Sequence, residues 1–82
     1  MFTNELKKGE KIQLRNGWNA TIEDNLKGNT RLCTVYGFCT EMGSVYSHDI
    51  VLFYKYEGNG TILIEHTPAQ LKAKERCAAM GF

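Results

Sequence analysis

The stretch from Asn29 to Ile50, NTRLCTVYGFCTEMGSVYSHDI, decides how the rest of the chain is read. Its first half alternates Leu32, Thr34, Tyr36 and Phe38 with Cys33, Val35, Gly37 and Cys39. Alternation of this kind in β-branched and aromatic residues predicts a strand. Neither set is charged, so the expectation is a central strand, Arg31–Thr40, covered on both faces. The second half gathers turn residues and the densest polar chemistry in the chain: Glu41, Ser44, Tyr46, Ser47, His48 and Asp49. Glu41–Ser44 reads as a turn and Val45-Tyr46 as renewed extended chain. Ser47-His48-Asp49 reads as a kink before an apolar strand, Ile50–Tyr56.

Upstream, Lys11–Arg15 alternates Ile12 and Leu14 with polar residues, the pattern of a half-exposed strand. Asn16-Gly17 then predicts a two-residue hairpin, because both residue types tolerate positive φ. The return strand, Trp18–Glu23, sets Trp18, Ala20 and Ile22 on one face. Asp24–Thr30 is a turn cluster with Gly28-Asn29 at its tip. Residues 1–10 form a short N-terminal segment with one helical turn capped by Asn4 and closed at Gly9. Downstream, Glu57–Gly60 is a second hairpin loop returning as Thr61–Glu65. The last element has a full helix start: Thr67 as N-cap, Pro68 in the first helical position and Gln70 completing a capping box. Gly81 is placed to end that helix. Ala69, Ala73, Cys77 and Met80 share one narrow stripe, whose small residues let the helix lie close against a sheet.

Five short strands joined by tight turns predict a mainly β fold, a small antiparallel five-stranded SH3-like barrel with one C-terminal α-helix. The 82 residues make a single domain. It divides into the N-terminal segment (1–10), the barrel (11–66) and the helix (67–80). An OB-fold, the nearest competitor, would need longer strands and a helix between the third and fourth.

Composition narrows the function classes. Ten basic and nine acidic residues leave a net charge of +1, with no general pull toward nucleic acid or membrane. No stretch approaches the length of a membrane span. Three cysteines exclude a fully paired framework. Cys33 and Cys39 on one extended strand would lie about 20 Å apart, beyond disulfide reach unless the chain turns at Gly37. Reduced cysteines used as small hydrophobes imply a cytoplasmic protein.

His48-Asp49 is the first place to look for catalysis, with Ser44, Ser47 or Cys39 as nucleophile. Adjacent residues on extended chain point to opposite faces, however, so Asp49 is poorly placed to orient His48. No nucleophile elbow is present, and the reading is non-enzymatic. Cys33, Cys39, His48, His66 and Cys77 lack the paired spacings of a metal site, and Gly58-Asn59-Gly60 precedes a strand where a phosphate loop needs a helix. No cofactor is implied. Nucleic-acid binding is the alternative: Lys8, Lys11, Arg15 and Arg31, with aromatics such as Tyr36, Phe38, Tyr46 and Tyr54 as stacking surfaces. Protein binding is favoured. Both faces of Arg31–Thr40 and of Ile50–Tyr56 are apolar while a small barrel has one interior. The second face must be covered by the helix, by a second copy of the chain in a homodimer, or by a partner.

Several pieces carry a resemblance: Arg15-Asn16-Gly17-Trp18, Gly28-Asn29-Thr30-Arg31, Gly43-Ser44-Val45-Tyr46, His48-Asp49-Ile50 and Glu65-His66-Thr67-Pro68. From about Lys8 onward the chain resembles a group of small, uncharacterised proteins encoded by tailed bacteriophages. That resemblance implies an accessory protein acting in the cytoplasm of a bacterial host, on a host or phage protein. The expected contact surface comprises Asn29, Arg31, Tyr36, Tyr46, His48 and Asp49. In that reading Asp49 accepts backbone N–H bonds in the kink, and His48 projects outward to meet the partner.

Overall fold

The computed structural model describes residues 1–24, 29–55 and 60–79. Six antiparallel strands form one sheet: β1 (Lys11–Leu14), β2 (Asn19–Asp24), β3 (Thr30–Tyr36), β4 (Thr40–Tyr46), β5 (Ile50–Tyr54) and β6 (Thr61–Leu63). Their order is β4-β3-β2-β1-β5-β6. A helix, α1 (Pro68–Ala79), follows, and two 3₁₀ turns occupy Thr3–Glu5 and Ser47–Asp49. The mainly β class and the C-terminal helix are as expected. The five-stranded closed barrel is not: the sheet has six strands and is open, with β4 and β6 at its edges.

The added strand comes from a turn placed elsewhere than the sequence reading puts it. Arg31–Thr40 is not one central strand. β3 stops at Tyr36, the chain reverses through Gly37, Phe38 and Cys39, and Thr40 pairs back onto Tyr36. Glu41–Ser44, expected to be a turn, lies within β4. The turn needs a glycine at position 37 because a tryptophan lies over it. A Cβ at this position would sit 2.4 Å from the Trp18 ring. The ring also meets Phe38 edge-on, with centroids 5.5 Å apart. β3 is therefore next to an edge, and its Leu32 and Tyr36 face is exposed instead of covered.

The first hairpin is corrected in a smaller way. Leu14 N donates to Trp18 O (2.8 Å) and Gly17 N to Leu14 O (2.9 Å), which leaves three loop residues, Arg15, Asn16 and Gly17, instead of two. This is the three-residue pattern in which the last position is left-handed, and Gly17 has φ +92°. Asn16 Oδ1 accepts from Trp18 N (3.0 Å), an Asx bond that holds the reversal.

Alternation along the strands then sorts the side chains. Ile12, Leu14, Ala20, Ile22, Cys33, Ile50 and Phe53 point into one buried cluster with Leu6 and Ile64. Leu6 is delivered by the N-terminal 3₁₀ turn, where Phe2 N donates to the Glu5 carboxylate (2.6 Å), so the cap lies at Phe2 and not at Asn4. The α1 capping box is as predicted: Gln70 N donates to Thr67 Oγ1 (3.3 Å) and Thr67 N to Gln70 Oε1 (2.9 Å). The helix does not cover a sheet face, as its alanine stripe suggested. It buries only Gln70 and Ala73 among the described residues and packs against the Ser47–Asp49 turn. The expected turn at Gly28, the loop at Glu57–Asn59, Tyr56 and the helix end at Met80-Gly81 lie outside the described residues.

The sheet must curl. In the strand order β4 and β5 stand four spacings apart, about 19 Å in a flat sheet. Tyr46 pairs with Thr30, whereas Ile50 pairs with Leu14 at the other end of the ladder, adding roughly 20 Å along the strands. Only the 3₁₀ turn Ser47–Asp49 joins them, and at about 2 Å rise per residue it spans under 10 Å. The end of β4 therefore swings over the β1–β2 turn, where Val45 shares a small pocket with Leu14, Arg15, Asn16 and Asp49.

Two substitutions check this account. Gly17→Val forces a β-branched residue to positive φ and is expected to lower stability by about 1 kcal/mol or more in denaturant titration. Gly37→Ala is expected to displace the Trp18 ring. Trp18 is the only tryptophan, so the emission spectrum should shift; an unchanged spectrum would mean that the ring does not lie over the turn.

Candidate functional site

The residues singled out in the sequence fall into two groups, one inside the molecule and one on its outer face. The inner group centres on Arg31, which is 2% exposed at the start of β3. One guanidinium nitrogen donates to Thr30 O (2.8 Å) and to Ser47 Oγ (2.9 Å), and the other donates to Asn4 Oδ1. Burial pulls its pKa below the ordinary arginine value, yet it stays cationic. Arg31 thus ties the N-terminal turn, β3 and the 3₁₀ turn together. It is not a free contact residue.

His48 is also 2% exposed, so the outward-projecting His48 of the sequence reading is corrected. A 3₁₀ turn does not alternate its side chains as a strand does, and the ring folds inward beneath Tyr46. The two rings stack 5.0 Å apart at 12°. His48 Nε2 lies 3.7 Å from Asp49 Oδ1, and Nδ1 is buried with no hydrogen-bond partner among the described residues. Burial pushes the pKa down. The Asp49 carboxylate opposes that shift, and the charges of Arg15, His66 and Lys74 reinforce it. The folded state therefore holds a neutral imidazole.

Asp49 keeps a structural role, with a different partner from the one expected. Its carboxylate faces Arg15 Nε at 3.1 Å, and its own carbonyl accepts from Arg15 N (2.7 Å). Asn29 contributes its carbonyl to Ser47 N (2.7 Å) and is otherwise exposed. His66 Nε2 reaches Ile50 O (2.9 Å). The polar segment from Ser47 to Asp49 is a clasp, holding the end of β4 to the end of β1 and to α1.

The residues weighed as metal ligands are dispersed. Cys33 is in the core, where burial raises its thiol pKa to about 11, and Cys39 is exposed in the β3–β4 turn. Among the described residues no three His, Cys, Asp or Glu side chains come close enough to hold a metal.

The outer group is the face of the sheet away from the core. Tyr36 and Tyr54 bracket strands β1 and β2, and with Lys11, Asn19 and the Ala20 backbone they line a groove of about 340 Å³. Both hydroxyls are engaged: Tyr54 donates to Asn19 Oδ1 (2.7 Å), and Tyr36 bonds with Thr21 Oγ1 (3.1 Å). The rings are fixed walls as a result. Leu32, Met42, Tyr46 and Leu63 are exposed on this same face.

Tyr36 and Tyr46 are therefore accessible, whereas Arg31 and His48 are enclosed. Asn19 and Thr21, which orient the tyrosines, were missed. Their signal was the polar half of the Trp18–Glu23 alternation, which stands beside Lys11 once β1 pairs with β2. The basic residues do not form one track. Lys8 and Lys11 lie near the start of β1, Arg15 lies past its far end paired with Asp49, and Arg31 is interior. No family model, curated protein or solved structure matches this chain.

The buried imidazole gives a pH dependence with a defined sign. The unfolded chain protonates His48 near 6.5, before the folded chain does, so acid favours the unfolded state. Stability should be full above about pH 6.5 and fall below it, by at most about 1.4 kcal/mol per pH unit for one proton. His48→Gln should flatten the profile below about pH 6.5. A profile identical to the parent's would show that the ring is not held neutral.

Proposed function

We propose that this chain is a non-enzymatic binding module of SH3-like type, an accessory protein of a tailed bacteriophage acting in the host cytoplasm on a host or phage protein. The single observation behind this reading is the outer face of the sheet. Two tyrosines with locked hydroxyls flank a groove there, beside exposed Leu32, Met42 and Tyr46. Rigid aromatic surface loses little side-chain entropy on contact, which is why tyrosine is frequent among binding hot spots. The strand order from β4 to β5, with β5 returning to the free side of β1 through one 3₁₀ turn, supports the SH3-like part. The phage part rests on the resemblance of motifs alone. The contact set shifts accordingly to Tyr36, Tyr46 and Tyr54, with Lys11 and Asn19. Arg31, His48 and Asp49 hold the scaffold behind them, and Asn29 lies at its border.

Lys11 beside two ring faces also suits a nucleotide, so single-stranded nucleic acid is the second reading. The dispersal of Lys8, Arg15 and Arg31 weighs against it, because affinity for a strand scales with the phosphates neutralised.

Affinity capture from bacterial lysate, with and without nuclease, separates the two. We expect a nuclease-resistant protein retained by the parent and lost with Tyr36→Ser/Tyr54→Ser, in a variant that still melts cooperatively. Binding to single-stranded DNA or RNA should be weaker than ~10 μM at physiological salt, below specific nucleic-acid sites. A sub-micromolar, salt-sensitive complex would select the nucleic-acid reading instead.

A further inference from the structure

Among the described residues no strand pairs with the outer edge of β4, and the edge has few of the usual protections. Seven residues, Thr40–Tyr46, pair with β3 in unbroken register, and no described strand pairs on the other side. Alternate residues of such a strand turn N–H and C=O groups away from the ladder, and another extended main chain can pair with the whole row in place of water. The strand has no proline, no lysine and no bulge, and Glu41 is its one charge. Five of its seven residues are exposed, with Met42 at 64%.

We propose that β4 pairs antiparallel with β4 of a second copy of this chain, about a two-fold axis at Gly43, to give a continuous twelve-stranded sheet. The edge is self-complementary in that register. Thr40 faces Tyr46 of the second copy, Glu41 faces Val45, Met42 faces Ser44, and the two Gly43 residues meet at the axis, where each has open space at its Cβ position. The two Glu41 carboxylates are kept apart. Each arrives instead beside Val45, whose pocket is lined by the half-exposed Arg15 together with its partner Asp49, so the Arg15 guanidinium is offered a second carboxylate across the interface. On the outer face Met42 of each copy comes beside Ser44 of the other, next to Leu32. A net charge of +1 leaves little long-range repulsion between copies. A peptide of another protein would find the same main-chain groups, but the second copy also brings its own side of the Glu41–Arg15 contact. The proposal does not rest on the tyrosine groove, whose walls come from β1, β2, β3 and β5 and not from β4.

Light scattering after size exclusion, at roughly 100 μM where a micromolar complex is saturated, tests it. The parent should have twice the mass of one chain. Met42→Lys/Ser44→Lys and Met42→Glu/Ser44→Glu each set like charges opposite one another and should be monomers with cooperative melting. Mixing the two variants should restore a dimer containing one of each. In hydrogen exchange, the outward amides of β4 should become slower as parent concentration rises. A monomeric parent at this concentration, dimers that survive both double substitutions, or a mixture that stays monomeric would each overturn the proposal.

Discussion

Four Cα steps separate Tyr46 from Ile50, and they must join strands that a flat sheet would hold far apart. The curl of the sheet follows from that limit. Once β4 swings toward β1, its last residues need partners at the crossing. They find them in Asn29 O for Ser47 N, Asp49 O for Arg15 N, and the Arg31 guanidinium for Ser47 Oγ. A lysine could not serve here in the same way, because a planar fork reaches acceptors on three segments at fixed angles. Burying that cation costs desolvation, and its charge-assisted bonds, each worth about 1.5–3 kcal/mol net, offset the cost only while all the acceptors stay in place. The clasp is thus cooperative: Asn4, Thr30 and Ser47 hold together or loosen together.

What the sequence made legible follows from local physics. The α1 cap is one case, since Thr67 and Gln70 satisfy each other's backbone within three residues. The reversal at Asn16-Gly17 is another; its place was right and its length was one residue short, because the choice between loop types depends on where Trp18 pairs. The Gly37 turn was not legible. Alternation runs on unbroken through Phe38 and Cys39, and the ring that packs on the turn belongs to a tryptophan nineteen positions earlier in the chain. The open sheet and the sixth strand both follow from that one misplaced reversal.

The candidate site divides along the same line. Strand periodicity assigned Tyr36 and Tyr54 each to a face but left open whether that face was covered. For His48 and Arg31 burial was not legible. A polar residue in sequence looks the same whether it meets water or three buried acceptors, and only the fold decides which. Cys33 is the converse, a reactive side chain by type that burial has made a poor nucleophile, with its thiol pKa near 11.

The pairing of β1 with both β2 and β5 has a consequence during synthesis. β2 follows β1 at once, but Leu14 meets Ile50 across 36 positions of chain. At about 5–20 residues per second, the far side of β1 waits roughly 2–7 seconds on the ribosome for its neighbour. The β1–β4 meander can assemble in that interval, whereas the buried cluster cannot finish without Ile50 and Phe53. Closing so long a loop is entropically costly and comes late, so the nascent chain passes through a stage with two bare edges and half a core. The interval in which this small protein is most exposed to misassembly therefore precedes release, and its length is set by the speed of translation.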